Sequence, residues 1–396
     1  MKIKIALMFG GKSVEHEISI ISALQAAASL DREKYDVIPI YITKSGEMYC
    51  GERVGDIEAY KDITKLLADS YPVTMARVGS RVEIIRLDHR AFKKPFVDYV
   101  DIAFPIVHGT NVEDGTIAGY LNMLGLPYVG CDILSSALGM DKYAMKLIFK
   151  DSGIPVLDGR VYYRERFDIN QDEIISDVEK AVGYPVIVKP VNLGSSVGIS
   201  KADSREKLIE ALSEGFKYAG RVLVERAITN LTEINCSVLG YGLKAEASVC
   251  ERPISGDEIL SYSDKYLGGS KSSKGMASTK RVIPADISAE KTNCIQELAV
   301  KAFTALGCCG VVRIDFMIDN DSGKIYLNEI NTIPGSLSFY LWEPKGVSYK
   351  ELLDRMIKAA FARERESKNI TYAFDTNVLA GIHLGGTKGS KLGGKS

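Results

Sequence analysis

With 396 residues, 46% of them apolar, and 50 basic against 51 acidic side chains, the chain is too long for one compact core and must divide into two or three domains. Its charges are interspersed around a net of −1, which excludes a sequence-wide field for nucleic acid or an anionic membrane and leaves small molecules as partners. No stretch reaches the ~20 apolar residues of a membrane helix, and the first apolar run ends at Gly10 and Gly11 without a small-residue cleavage site. The seven cysteines are scattered without metal-ligand spacing, so a reduced, cytoplasmic protein with packing thiols is expected.

Residues 2–9 read as a buried strand broken by the two glycines, and residues 17–30 as a helix with Ile18, Ile21, Leu24 and Ala28 on its apolar face. Strands at 35–42 and 100–108 and a helix at 115–124 complete a parallel α/β domain over residues 1–134. Ligands in such sheets sit at the carboxyl ends of the strands. A second, α+β unit over residues 135–230 opens with a helix at 141–152, stopped by Gly153 with Pro155 behind it. Short strands at 186–189, near Ile199 and at 222–225 follow, with an amphipathic helix at 204–215. The third unit, 231–366, holds strands at 235–239 and 244–249, a polar Gly/Ser/Lys loop at 268–280, a helix at 289–306 and two strongly β runs at 311–319 and 324–331. Its last helix opens on the capping-box spacing of Ser348 and Glu351. Residues 367–396 are expected to be a flexible tail, and there is no internal repeat.

The two β runs form a hairpin by composition, joined through residues 320–323. Side chains alternate along a strand, so Arg313 and Asp315 share one face. An odd-length loop centred near Ser322 sets Asp315 opposite Glu329 and Arg313 opposite Asn331. A cation, two carboxylates and an amide then converge, and hard oxygen donors of this kind suit Mg²⁺ bridging phosphates. A solvated ion-paired strand face explains the same residues. The turn at 332–336 favours the metal reading, because its backbone N–H groups would lie beside the carboxylates where an anion could dock.

Residues 185–190, ending in Lys189 and Pro190, precede the loop Gly194-Ser-Ser-Val-Gly198. Bare N–H groups, two hydroxyls and a lysine can fold over a polyphosphate, although for the loop taken alone a plain hairpin turn is the preferred reading. The stretch 6–13 approaches a phosphate-loop pattern but lacks its first glycine and is rejected. Glu15, at the start of the first helix, is placed to hold an ammonium or simply to complement the helix dipole.

Several motifs occur in one order: Gly10-Gly-Lys-Ser-Val-Glu-His-Glu-Ile-Ser19, His108-Gly with Glu113-Asp-Gly-Thr116, Met140-Asp-Lys142, Val188-Lys-Pro190 with Gly194-Ser-Ser-Val-Gly198, Asp264-Lys-Tyr-Leu267, Arg313-Ile-Asp315 and Asn328-Glu-Ile-Asn-Thr-Ile-Pro-Gly335. Over residues 3–360 this order resembles the D-alanine–D-alanine ligases of the ATP-grasp class. The resemblance implies an ATP-grasp fold behind an N-terminal α/β domain, and ATP-dependent joining of two D-alanines through an acyl phosphate for cell-wall (peptidoglycan) precursor synthesis. It further implies that Lys142, Lys189 and Ser196 bind the ATP phosphates and that Glu225 and Glu233 serve its adenine and ribose ends. Asp315, Glu329 and Asn331 would hold Mg²⁺, or Mn²⁺ in its place. Glu15, Ser195 and Tyr266 would form a network closing the site. His108, Lys265, Tyr340 and Leu341 would lie near the amino acids, and Arg313 with the Gly335 N–H would stabilise the oxyanion. The loop around Tyr266 would be a lid hinged at Gly268-Gly269, and a homodimer is the expected assembly.

The chain also departs from the family. Tyr340 stands near the position where the family usually has a serine for the acceptor carboxylate. The lid is longer and carries Lys271, Lys274 and Lys280, and the spacing from Glu225 to Glu233 is one residue longer than usual. A D-serine or other acceptor is therefore the nearest alternative, with a nucleotide-binding regulatory protein as the non-enzymatic one. Tyr266 favours an amino-acid acceptor over D-lactate.

Overall fold

A computed structural model describes residues 1–88, 95–109, 113–194, 197–254 and 281–372. Three sheets carry the fold. In the first, β1 (Ile3–Gly10) lies between β2 (Tyr35–Ile42) and β7 (Ile102–Ile106) and is parallel to both, as its almost unbroken burial requires. The parallel domain expected from sequence is nevertheless only part of a mixed seven-stranded sheet. The strands β3 (Met48–Cys50), β4 (Tyr71–Val78), β5 (Arg81–Arg86) and β6 (Phe96–Val100) extend it antiparallel beyond β2. The β4–β5 link is a tight turn through Gly79, which permits antiparallel but not parallel pairing.

Helix α1 (His16–Ser29) buries Ser19, Ile20, Ser22, Ala23, Ala26 and Ala27, so the expected stripe through Ile18, Ile21, Leu24 and Ala28 is displaced and Ala28 is exposed. Small residues face inward because the 3-10 turn Gly335–Leu341 packs closely on this helix, and bulk therefore misreports the core side. Short helices α2 (Ile63–Ala68) and α3 (Thr116–Met123) complete this part.

Helices α4 (Ile133–Met140) and α5 (Lys142–Asp151) are separated at Asp141, whose extended backbone ends one helix and whose carboxylate accepts from Tyr143 N and Ala144 N to cap the next. The second sheet, ordered β10-β9-β11-β8, comprises β8 (Gly159–Tyr163), β9 (Val186–Pro190), β10 (Ser200–Ala202) and β11 (Arg221–Arg226). It is backed by α6 (Arg164–Ile169), α7 (Gln171–Ala181) and α8 (Arg205–Tyr218) through a core that includes Ile175, Val188, Leu212 and Val222.

The third sheet runs β14-β13-β12-β15-β16, from β12 (Leu231–Tyr241), β13 (Lys244–Pro253), β14 (Arg281–Val282), β15 (Cys309–Asp319) and β16 (Ile325–Asn331). One face, with Ile234, Cys236, Ile314 and Phe316, packs on α5 and on α9 (Ala289–Ala305). Period-two alternation leaves Asn235, Ser237, Arg313 and Asp315 for the other. The last helix, α10 (Tyr349–Ser367), is capped by Ser348 as expected and joins Trp342, Leu352 and Met356 to Ile5, Leu7 and Phe9 of the first sheet. Among the described residues no helix is long and apolar enough to cross a membrane.

Candidate active site

The polar face of the third sheet lines up four functional groups across four strands. Glu251 pairs in register with Asn235, Asn235 with Asp315, and Asp315 with Glu329. In the next row Arg313 is opposite Asn331. The predicted hairpin register therefore holds, but a bulge supplies part of it: Phe316 pairs with Leu327, leaving Asn328 as the extra residue. The bulge turns Asn328 toward the second sheet, where its Oδ1 accepts from Lys189 Nζ at 3.0 Å. Arg313 grips Asp315 through Nε and Nη2, both at 2.7 Å, and Asn331 Nδ2 donates to Asp315 Oδ2 at 3.1 Å. Burial opposes the charge on Arg313, but Asp315 outweighs it and holds the guanidinium firmly protonated.

Beside this row the two other layers deliver lysines. From the first turns of α5, Lys142 Nζ lies 3.3 Å from Glu329 Oε2 and donates to Leu193 O at 2.8 Å. Lys146, one turn further on and a residue that the sequence reading overlooked, reaches Glu225 Oε2, while Lys189 of β9 takes Glu225 Oε1. An i, i+4 lysine pair after a helix cap was the available signal. Burial penalises the Glu225 carboxylate, yet Lys146 and Lys189 together bring it down to about 2. Lys146 shifts the other way: burial, then the like charges of Lys189 and Lys142, lower its pKa despite Glu225. The shifts differ because one carboxylate is shared by two ammonium groups, so the buried pocket has surplus positive charge. A further polyanion would relieve it.

The first sheet contributes Glu15. Gly10 and Gly11 turn the chain with φ of +96° and +89°, and a Cβ on Gly10 would strike Ile42 O at 2.2 Å, so only glycine lets β1 bend into α1. Glu15 is the N-cap residue of α1 and is buried, its N–H bonded to Ser13 Oγ at 3.0 Å. A Cβ built on Gly109 would lie 3.2 Å from Glu15 Oε2 and one on Gly194 would lie 3.8 Å from it. Hence the loop after β7 and the Gly194 loop both converge on this carboxylate.

His108 sits deeper. Its Nδ1 bonds Ile333 O at 2.7 Å, so that nitrogen carries the proton and Nε2 accepts from Ser22 Oγ at 2.9 Å. Ser22 Oγ in turn accepts from Ser336 N at 3.0 Å. Burial lowers the His108 pKa and keeps the ring neutral, against the pull of Glu15. Glu113, which carried no role in the sequence reading, accepts from Gly109 N at 2.6 Å and Ile333 N at 3.2 Å, and burial followed by the Glu15 charge pushes its pKa up. The turn after β16 thus does present N–H groups, as expected, but those of Ile333 and Ser336 are engaged by Glu113 and Ser22. Gly335 opens a turn in which Ser336, Leu337 and Ser338 all adopt left-handed φ near +50°.

Tyr340 is buried against Arg281, whose guanidinium carbon lies 4.2 Å from the ring centroid, and its hydroxyl is 3.4 Å from Glu251 Oε1. Glu251 also accepts from Asn235 Nδ2 at 3.0 Å and from Arg281 Nη1 at 2.8 Å. Neither Glu251 nor Arg281 was singled out from sequence, since each is an isolated charge whose partner is remote in the chain. Leu341 is fully buried in the core with Trp342, so its side chain belongs to packing. Glu233 sits on β12 two residues from Asn235 and opposite Met317. Ser195, Ser196, Lys265, Tyr266 and the expected lid and hinge lie outside the described residues.

Among the described residues no three His, Cys, Asp or Glu side chains form a metal cage. Asp315, Glu329 and Asn331 instead offer oxygens from two adjacent strands next to the lysines. That fits a small divalent cation shared with phosphate oxygens, which needs only one or two protein carboxylates.

The family models described as D-ala D-ala ligase N-terminus and D-ala D-ala ligase C-terminus match residues 4–131 and 148–358. A D-alanine–D-alanine ligase of Thermosipho melanesiensis is 41% identical over 377 residues, covering 95% of this chain and 98% of its own. The D-alanine-D-alanine ligase structure from Coxiella burnetii superposes with a TM-score of 0.77 at 30% identity, covering 93% of this chain and 96% of that one. The VanG D-Ala:D-Ser ligase of Enterococcus faecalis gives a TM-score of 0.76 at 32% identity over 91% of this chain and all of its own length, 100%. With both halves matched and the relatives aligned nearly end to end, the chain belongs to the D-alanine–D-alanine ligase family.

Proposed function

We propose that the protein joins two D-alanines into D-alanyl-D-alanine at the expense of ATP, supplying a precursor for the cell wall. The observation that carries this reading is the buried surplus of positive charge at Lys142, Lys146 and Lys189 next to the oxygen row of Asp315 and Glu329. It is a receptacle for a polyphosphate at the edge of an amino-acid site.

A carboxylate is a poor electrophile and must first be phosphorylated. Glu15 holds the ammonium of the first D-alanine, while Lys142, Lys189 and Ser196 hold the ATP phosphates and Glu225 and Glu233 its nucleoside end. Mg²⁺ held by Asp315, Glu329 and Asn331 would neutralise charge developing on the phosphates. The neutral His108, locked between Ile333 O and Ser22, fixes the floor of the amino-acid site without adding charge. Attack of the second amine on the acyl phosphate creates an oxyanion, for which Arg313 and the Gly335 N–H are the donors. By the family resemblance Tyr266, Ser195 and Lys265, which lie outside the described residues, would serve to keep out the water that would hydrolyse the intermediate.

A separate core behind the second sheet, drawn from residues between Tyr162 and Val224, supports a distinct middle unit, while α5 packs with the third sheet. Family resemblance supports the homodimer and a cytoplasmic place of action. Mass spectrometry of the products formed from ATP, Mg²⁺ and mixed D-amino acids tests the function. A D-alanyl-D-alanine mass is expected; a D-alanyl-D-serine mass alone would shift the acceptor, and ATP binding without any ligated product would overturn the reading.

A further inference from the structure

The turn from β1 into α1 carries Glu15, and the ring of the next residue holds that turn in place. His16 is 3% exposed, and its Nδ1 lies 2.6 Å from Gly11 O. A carbonyl oxygen only accepts, so Nδ1 carries the proton and Nε2 is left to accept from the Tyr41 hydroxyl at 3.0 Å. Burial, followed by the Glu17 charge, pushes the Tyr41 phenol up to about 12 and keeps it a donor. With both nitrogens engaged inside the protein, the role of the ring is geometric. Gly11 O also accepts from Ser13 N at 3.1 Å, Ser13 Oγ from Glu15 N at 3.0 Å, and Ser13 O from His16 N at 3.3 Å. The imidazole therefore brackets the loop 11–15 from its helical end, where Lys12 and Val14 are exposed. Glu15 has a non-helical backbone, with φ −102° and ψ 20°, and its carboxylate does not cap the helix that it starts. That carboxylate lies instead beside Gly109 and Gly194. Tyr41 is itself fixed: a Cβ on Gly10 would meet its Cε2 at 3.0 Å, and its ring meets those of His16 and Tyr60 edge-on, with centroids 5.6 and 5.2 Å away.

We propose that His16, held in one tautomer between Gly11 O and Tyr41, is the positioning residue that fixes Glu15 for the ammonium of the first amino acid. The inference rests on the ligase reading above and on the part given there to Glu15. Lys142, Lys189, Asp315 and Glu329 belong to α5 and to the second and third sheets, so loss of the bracket falls on the donor amino acid alone. Asparagine at this position carries its amide nitrogen where Nδ1 lies and keeps the bond to Gly11 O. Glutamine carries it where Nε2 lies and loses that bond, and leucine loses both. Tyr41→Phe leaves Nε2 a buried acceptor without its donor and releases the tautomer.

The test is steady-state ligation by the full-length enzyme with Mg²⁺-ATP, fitted to an ordered two-amino-acid rate law so that donor, acceptor and ATP constants separate. Thermal melting checks that each variant folds. Because small misplacements of a binding group are costly, His16→Gln and His16→Leu are expected to raise the donor KM about tenfold or more, with acceptor and ATP constants within about twofold and kcat within about threefold. His16→Asn is expected to return the donor KM to within about threefold of the starting enzyme, and Tyr41→Phe to raise it about threefold or more. If His16→Leu does not fold, the asparagine and glutamine pair carries the same decision. A donor KM within about twofold of the starting enzyme in the folded glutamine and leucine variants overturns the proposal. So does an asparagine variant no better than the glutamine one, or a joint rise of donor, acceptor and ATP constants. Glu15→Gln is the reference: an unchanged donor KM there would remove the role of Glu15 and the proposal with it. Absence of any dipeptide from the unmodified enzyme would defeat the ligase reading instead, so the failures are distinct.

Discussion

Replacing Glu225 by glutamine keeps the shape of the side chain and removes the charge between Lys146 and Lys189. The carboxyl is held at about 2 against an ordinary 4.5, and it is 1% exposed. The difference corresponds to about 3 kcal/mol favouring the folded state, in the range expected when one member of a buried ion pair is deleted. Lys146 already has a lowered pKa and can shed its proton in the variant, which limits the loss. The folded-state pKa lies below the unfolded one, so this stability is fully present above pH 4.5 and disappears as pH falls toward 2. Urea unfolding followed by circular dichroism should therefore place Glu225→Gln about 3 kcal/mol below the unmodified protein at pH 7, with a gap about 1 kcal/mol smaller at pH 4. A gap under about 1 kcal/mol at pH 7 would refute the claim that this carboxylate holds two buried ammonium groups together.

Arg313→Ala should slow the chemical step by about 3 kcal/mol, roughly a hundredfold in kcat for phosphate release, and near-normal turnover would exclude it as oxyanion donor. Asp315→Asn removes half of the carboxylate pair that faces the lysines. The Mg²⁺ concentration for half-maximal activity should rise about tenfold or more, and an unchanged requirement would move the metal elsewhere. His108 is buried neutral with a lowered pKa, so its contribution to stability is present above about 6.5 and is lost as pH falls below it. Melting temperature measured against pH should show a step there in the unmodified protein that His108→Asn lacks. Ser338 combines a φ of +50° with a buried hydroxyl that meets no partner among the described residues. Ser338→Gly should stabilise the protein by about 1 kcal/mol in urea unfolding, and a loss of that size would show that the hydroxyl is satisfied in solution.

Much of the site was legible before the fold. Asp315, Glu329, Arg313 and Asn331 follow from alternation within a hairpin, although the bulge at Asn328, which sequence did not reveal, completes the register that sets Asp315 opposite Glu329. Glu15 follows from the helix start marked by Gly10-Gly11, whereas Lys142 came only from the family resemblance. The inward face of α1 was not legible, because its neighbours were unknown and the surface that packs closest is built from serine and alanine. The antiparallel strands β3 to β6 were missed because β3 spans only three residues, β6 offers no buried stripe, and β4 and β5 are only partly buried, without the unbroken apolar run of β1.

Local patterning and motif order were enough to determine the family, the strand faces and most of the charged candidates, since each depends on residues a few positions apart. Lys146 with Glu225, His108 with Ser22 and Ser336, and Arg281 with Glu251 and Tyr340 were decided only by the tertiary structure. The reason is electrostatic: a lone charge in a sequence reads as solvated surface, and only the packing that buries it with a remote partner makes it part of a site.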